Sequence, residues 1–398
     1  MENTKKKIII ASPFFYPELI STGKYNTFLS KNLILNKQEI TVICSYPFYP
    51  SWQPEYTAKS LPGIKIKRGG LKIRYPKSAI LRRLVLEFWF AWHFFKEAKK
   101  ENETIDIFVA IAPPIFFTGL MNFFFRDITK IVIIHDLLGV MATSSEGLSR
   151  RVIANVVKKI EAFLFRRFDK VICLTESMQD ELINEYGLKK KQCEVHYPFA
   201  TLDMSTHKID DLLKSLFPRE FFHLVYSGAL GEKQKPKMLY QFFAEACDRQ
   251  PNVCCHFFSQ GHVFEQLKAY NANERIKFHG LVPESQLQAL YEFSDIQVVP
   301  QAEGTGAGAF PSKIPNLIAA GVPVIAICDQ GTELEKVVRE TDIGKVVNNW
   351  DKDLFIRALD SLIADMDKKN RVVKKVEVHA TIKRKFDINR LVSSIIEG

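Results

Sequence analysis

Short β-branched runs alternate with helical stretches along nearly the whole chain, and this alternation constrains the fold more than any other feature. Lys7 to Ala11 reads as a strand, Ser12 to Thr22 as a loop, Gly23 to Leu35 as a helix and Glu39 to Ser45 as the next strand. Strand, helix, strand in that order implies a crossover, hence a parallel sheet with helices on its faces. Later strands are expected at Ile64 to Lys67, Ile105 to Ala112, Ile131 to Ile134 and Lys170 to Leu174, with helices at Ser149 to Phe165 and Ser177 to Tyr186. The second half repeats the pattern. Its strands are expected at Phe222 to Ser227, Val253 to Phe258, Ile276 to His279, Ile296 to Val299 and Pro323 to Ile327. Helices fall at Lys237 to Cys247, Glu284 to Phe293 and Asp353 to Met366. The fold class is therefore α/β, with two doubly wound domains joined near Tyr197 to Asp203.

A length of 398 residues suits two domains, and a hydrophobic content of 46% is ample for two cores. The seven cysteines are odd in number and lack any C-x-x-C pair. That argues for a reducing compartment and against a disulfide framework or a zinc site. Lys5-Lys6-Lys7 followed by Ile8-Ile9-Ile10-Ala11 is too short for a secretory leader. No charge occurs between Asp106 and Arg126, close to the length of a membrane span, but Pro113-Pro114, Gly119 and Asn122 interrupt it. A strand, a Pro-Pro turn and a buried helix starting near Pro114 are expected there instead.

Residues 300 to 326, PQAEGTGAGAFPSKIPNLIAAGVPVIA, hold the best ligand signal. A buried strand ends at Pro300, and a loop with Gly304, Gly306 and Gly308 follows. A helix begins near Pro311 and Ser312, and Gly321 stops it. A glycine-rich loop feeding a helix N-terminus at the carboxyl end of a strand is where open α/β sheets hold phosphate-bearing ligands. Residues 304 to 309 also mimic a dinucleotide fingerprint, but that motif belongs in the first βα turn of its unit, which argues against NAD.

Several segments, taken in order, carry a family likeness. They are SPFFYPELISTGKY (12 to 25), SYPFYP (45 to 50), HDLLG (135 to 139) and YSGALGEKQ (226 to 234). HGLVPESQLQALYEFSDIQVVPQ (279 to 301) and PSKIPNLIAAGVPVIA (311 to 326) complete the set. The chain resembles retaining glycosyltransferases of family four, with the glycosyltransferase-B fold of two facing Rossmann-like domains. The likeness is greatest to the bacterial exopolysaccharide and O-antigen branch that includes the colanic acid enzymes. It implies an acceptor-binding domain over 1–200 and a nucleotide-sugar-binding domain over 201–398, with a last helix, about 385–398, returning to the first domain. It also implies sugar transfer from a nucleotide-sugar donor to an acceptor hydroxyl in the cleft, with retention, no cofactor and no metal.

Departure of a nucleoside diphosphate concentrates negative charge, which cations and N–H donors must stabilise where no metal does. Lys233 matches the phosphate-binding basic position of the family, in a loop opened by Gly228 and Gly231, with Gln234 beside it. Ser312 and Lys313 stand at a helix start where anions bind. In the resemblance the loop at Gly23 contacts phosphates and acceptor, although a glycine there also suits backbone geometry alone. His135 and Asp136 end an apolar strand, and the wider family has a cleft His or Asp near the reacting carbon; capping is the structural alternative for Asp136. Many members carry two glutamates that hold the donor, and here Gly308 and Asn316 occupy those positions. Asn316 is able to hydrogen-bond a ribose hydroxyl, and Glu303 to reach the sugar from the loop.

Between Lys59 and Lys100 there are twelve Lys or Arg and two Glu. Within that segment LRRLVLEFWFAWHFFKEAKK (81 to 100) reads as a helix apolar nearly all round. Leu81, Leu84, Val85, Phe88, Trp92 and Phe95 share one face, while Leu86, Trp89, Phe90 and Phe94 cover much of the rest. Such a helix is buried or lies in lipid, and its basic flank suits an anionic bilayer, with Arg82, Arg83, Trp89 and Phe90 as contacts to membrane or acceptor. Nucleic acid is the competing use of a net charge of +10, but no recognition motif supports it. The expected protein works at the cytoplasmic side of the cell membrane on a lipid-linked or oligosaccharide acceptor. The rival readings are a nucleotide-sugar epimerase of the same fold and a non-catalytic partner of an assembly complex.

Overall fold

The computed structural model describes residues 5–18, 20–49, 51–57, 59–100, 105–139, 148–202, 211–306, 310–366 and 385–398. The chain divides into two compact units, one formed by Met1–Thr201 with Asp387–Gly398, the other by Leu202–Phe386.

The first unit is a seven-stranded parallel sheet. Its strands are β1 (Lys7–Ala11), β2 (Glu39–Ser45), β3 (Ile64–Gly69), β4 (Ile107–Ala112), β5 (Thr129–Ile134), β6 (Lys170–Cys173) and β7 (Cys193–Val195). The spatial order is β3-β2-β1-β4-β5-β6-β7. Every residue of the central β4 is buried, which explains an apolar run without alternation: helices cover both faces of the sheet. Helix α1 (Ser21–Leu35) packs Tyr25, Leu29 and Leu33 into one face, beside Leu391, Val392 and Ile395 of helix Ile388–Glu397. Lys6 Nζ donates to Ile396 O at 2.6 Å and Lys170 Nζ to Ser394 O at 2.7 Å, fastening that last helix to the first unit. Helix α2 (Ala79–Ala98) buries Phe90, Phe94 and Ala98 against the other face.

The second unit is a six-stranded parallel sheet of β8 (Phe222–Ser227), β9 (Val253–Phe258), β10 (Ile276–His279), β11 (Ile296–Pro300), β12 (Val324–Cys328) and β13 (Gly344–Asn348). Its order is β10-β9-β8-β11-β12-β13. Both sheets thus reverse direction of strand addition beside their first strand, at β1/β4 and at β8/β11. Loops at such a switch point diverge and leave a crevice at the carboxyl ends of the strands.

Local differences from the sequence reading have local causes. The segment after Pro114 is a 3-10 turn, Phe116–Gly119, and a single turn of helix, Met121–Phe124, rather than one helix, because the apolar side chains pack individually into the core beneath α2. The segment after Pro311 becomes helical only at Ile314, and Gly321 ends the helix with φ +65°. All seven cysteines are free and buried.

Strand pairing also assembles a group that no sequence spacing reveals. His223, Cys254 and His256 place ligand-type atoms within 4.8 Å of one another. Each already has a partner. His223 Nε2 lies 2.8 Å from Pro218 O, which can only accept, so that nitrogen carries the proton. His256 Nε2 then donates to His223 Nδ1 at 3.0 Å, and His279 Nε2 to His256 Nδ1 at 3.1 Å. The three rings form one neutral relay, with His256 stacked on Phe217, His279 stacked on Phe258 and His223 edge-on to Phe217. Burial lowers all three pKa values, that of His279 to about 4.

Candidate active site

In the second unit the candidate donor-binding residues gather at the β8/β11 switch point. Lys233 and Gln234 lie in a turn, Glu232–Gln234, after β8; Glu303, Ser312, Lys313 and Asn316 follow β11. Three contacts tie the two segments together. Ala302 N donates to Lys233 O at 2.8 Å, Lys235 Nζ pairs with the Glu303 carboxylate, and Lys313 Nζ donates to Ser227 O at 2.8 Å.

Lys313 is the most unusual of these groups. Its ammonium sits 4.3 Å above the centre of the buried Tyr226 ring and faces Gly228, where an added Cβ would lie 3.6 Å from Nζ. Gly228 has φ +141°, so a side chain there would be strained by the backbone conformation, although the space itself would admit a Cβ. The residue keeps some accessible surface, but the ammonium itself is enclosed, and that desolvation brings its pKa down to about 7. No carboxylate pairs with it among the described residues; a backbone carbonyl and an aromatic face hold it. The helix it precedes, Ile314–Ala320, has seven residues, so the cation rather than a long helix dipole makes this spot attractive to an anion.

The other candidates differ in setting. Lys233 is exposed, and Gln234 Oε1 accepts from Gly231 N at 3.0 Å, closing its own turn. Glu303 is engaged by Lys235. Asn316 is buried, and its Oδ1 accepts from Leu202 N at 3.2 Å, so this oxygen secures the chain entering the unit. Gly308 lies outside the described residues.

In the first unit Gly23 sits in the first turn of α1, where an added Cβ would lie 3.0 Å from Glu18 Cβ and 3.2 Å from Glu18 O. The glycine is there to let the helix approach Glu18. Sequence reasoning did not single out Glu18, although it lies within the 12–25 signature. Its buried carboxylate accepts from Phe48 N at 3.0 Å and Tyr49 N at 2.6 Å, joining that signature to SYPFYP. Burial raises its pKa to about 7, against the lowering effect of the two N–H donors. His135 directly follows β5, with its ring 6.1 Å from that of Tyr25, and desolvation lowers its pKa to about 4. A neutral imidazole can hydrogen-bond a hydroxyl in either direction. Asp136 follows it, partly exposed.

Helix α2 requires one correction. Phe90 is 1% exposed and packs edge-on to Phe117, so it belongs to the core and not to a membrane or acceptor surface. Trp89 is 42% exposed. Arg82 stacks over Trp52 at 4.0 Å, and Arg83 lies 3.1 Å from the Glu87 carboxylate.

Two family descriptions match in tandem. Residues 23–203 match "Glycosyltransferase Family 4" and residues 209–378 match "Glycosyl transferases group 1". The chain is a group 1 glycosyltransferase. This glycosyltransferase is 23% identical over 350 residues to the colanic acid biosynthesis glycosyl transferase WcaI of Escherichia coli (strain K12), covering 82% of this chain and 84% of that one. Its fold is that of sucrose-phosphate synthase from Thermosynechococcus elongatus, with a TM-score of 0.76 at 15% identity, over 98% of this chain and 97% of that one. HepE from Anabaena, solved with UDP and glucose, superposes with a TM-score of 0.68 at 14% identity over 98% of both chains. Two Rossmann-like parallel sheets are accordingly the glycosyltransferase-B fold.

Proposed function

We propose that this glycosyltransferase moves a sugar from a nucleotide-sugar donor to a hydroxyl of a lipid-linked saccharide during surface polysaccharide assembly. Transfer proceeds with retention, without metal or other cofactor, at the cytoplasmic face of the cell membrane. The observation that carries the reading is Lys313: a desolvated ammonium at the β8/β11 switch point, without a described carboxylate partner, is arranged for an anion supplied by the ligand. A diphosphate there would raise the Lys313 pKa and keep the charge on at neutral pH. Lys233 on the neighbouring loop adds a second cation, and Ser312 a hydroxyl. The HepE complex with UDP and glucose supports the same ligand class, and the WcaI likeness supports the polysaccharide setting.

His135, neutral above about pH 4, suits orientation of the acceptor hydroxyl, with Asp136 as its polar neighbour. The exposed apolar side of α2 supports peripheral contact with an anionic membrane; no helix among the described residues is long and apolar enough to cross one.

The test is a thermal-shift panel of nucleoside diphosphates and nucleotide sugars, since a ligand bound by the native state stabilises it by mass action. The stabilising donor is then incubated with lipid-linked acceptors, with and without excess chelator, and the product's anomeric configuration is read by NMR. Retained configuration and full activity in chelator are expected. Conversion of the donor's sugar to its epimer in the absence of acceptor would make the protein an epimerase. Binding of no donor would leave a non-catalytic assembly partner.

A further inference from the structure

Ten of the seventeen large apolar side chains that are exposed among the described residues lie on only two helices, α2 and Leu148–Phe165. On the second helix Val152, Val156, Ile160 and Phe163 form one outward stripe, with Phe163 59% exposed. On α2 the outward stripe runs through Leu81, Leu84, Phe88 and Trp92. A surface helix of a soluble domain normally turns polar residues that way.

The two stripes are continuous. Phe116 packs edge-on to Phe88, with ring centres 5.4 Å apart, and with Val156, Ile160 and Phe163 it lines an open apolar groove. Side chains of this size, about half exposed, present on the order of 1,000 Å² together, where monomeric proteins rarely leave more than a few hundred in one patch.

Among the described residues of the two helices, the charge left facing outward is basic. Glu87 is buried and accepts from Ile115 N and Phe116 N, while buried Glu161 accepts from Leu138 N, Gly139 N and the Tyr186 hydroxyl. Glu97 is paired with Lys100. The carboxylates of both helices are thus turned inward or neutralised. Lys159 lines the groove, Arg167 lies 3.4 Å over the Phe163 ring, and Arg82 and Lys96 are carried on α2 itself. A second copy of the chain would bring two such basic borders together, which is unfavourable, whereas anionic headgroups complement them.

We infer that helix Leu148–Phe165 and α2 form a single two-helix face, floored by Phe116, that seats in the interfacial layer of an anionic bilayer. The inference rests on the membrane contact proposed above for α2 and extends it to a helix for which the sequence carries no such expectation. In this arrangement Val156, Ile160 and Phe163 enter the acyl boundary while Lys159 and Arg167 meet lipid phosphates.

The experiment uses the full chain and vesicles of phosphatidylcholine with or without phosphatidylglycerol. Val156→Glu and Phe163→Glu are compared with Trp92→Glu on α2 by co-sedimentation at low salt, beside melting curves. Each variant is expected to bind anionic vesicles about tenfold or more weaker with its melting temperature nearly unchanged. Because all seven native cysteines are buried, Val156→Cys can also be labelled selectively with a polarity-sensitive dye, whose emission should shift to the blue on adding anionic vesicles. If Trp92→Glu loses binding while the helix Leu148–Phe165 variants bind like wild type and the dye does not shift, the two-helix face is overturned and the α2 contact stands. If the wild type binds no vesicle, both fall. If the wild type is dimeric without lipid and Phe163→Glu is monomeric in sedimentation velocity, the face is a self-interface and the inference is overturned.

Discussion

Lys313→Met should make the protein more stable and unable to hold a nucleoside diphosphate. The lysine pKa falls from 10.5 to about 7, and enclosure of the ammonium is the cause. A shift of that size corresponds to roughly 5 kcal/mol of destabilisation of the charged form, an upper bound at about 1.4 kcal/mol per pH unit. Because Lys313 keeps some accessible surface, roughly 2–4 kcal/mol is the expected gain when methionine, similar in length and uncharged, replaces it. The sign of the pH dependence follows from proton binding. Between the folded pKa near 7 and the unfolded value, the unfolded chain holds more protons, so the wild type gains stability as pH rises. From pH 7 to 9 that gain is about 2 kcal/mol, and the methionine variant should lack it. Ligand affinity runs the other way: above pH 7 the ammonium must regain a proton to bind a diphosphate, so wild-type affinity should fall by up to about tenfold per pH unit. Urea melts at pH 7 and 9, with calorimetry against UDP, GDP and ADP, measure both effects. A variant that binds the preferred nucleotide like wild type, or that melts earlier than wild type at pH 7, would refute the assignment.

Lys233→Ala should weaken nucleoside diphosphate binding while leaving the melting temperature near wild type, because the side chain is exposed; unchanged affinity by calorimetry removes Lys233 from the site. Phe90→Glu should cost several kcal/mol by placing an unpaired carboxylate in the core, whereas Trp92→Glu should cost under about 1 kcal/mol; equal melting temperatures would contradict the orientation of α2. His223, His256 and His279 are held neutral by burial, so below the ordinary histidine pKa the unfolded chain binds protons that the fold does not. Stability should therefore drop between about pH 6.5 and 4, more steeply than the roughly 1.4 kcal/mol per pH unit of a single group, and His223→Asn with His256→Asn should flatten that drop in acid titrations followed by circular dichroism.

Much of the architecture is legible in the chain itself. The strands at Lys7–Ala11, Glu39–Ser45, Phe222–Ser227 and Val253–Phe258 have the limits that their β-branched and aromatic runs imply, and Gly321 ends its helix where a left-handed residue is needed. These are local preferences, and neighbours along the chain suffice to express them. The same holds for the family signatures, which are contiguous. What lies between signatures does not show in the sequence. That Glu18 joins residues 12–25 to residues 48 and 49, that Lys313 reaches back to Ser227, and that three histidines on three strands share protons all follow from strand order, which sets distances between residues far apart in the chain. The 3.6-residue period of α2 likewise marks it as helix but cannot choose its inner side when nearly every side is apolar. Tertiary structure chose the stripe bearing Phe90 and Phe94, which also carries Glu87 to satisfy two backbone N–H groups, and left the larger stripe through Phe88 and Trp92 to the outside.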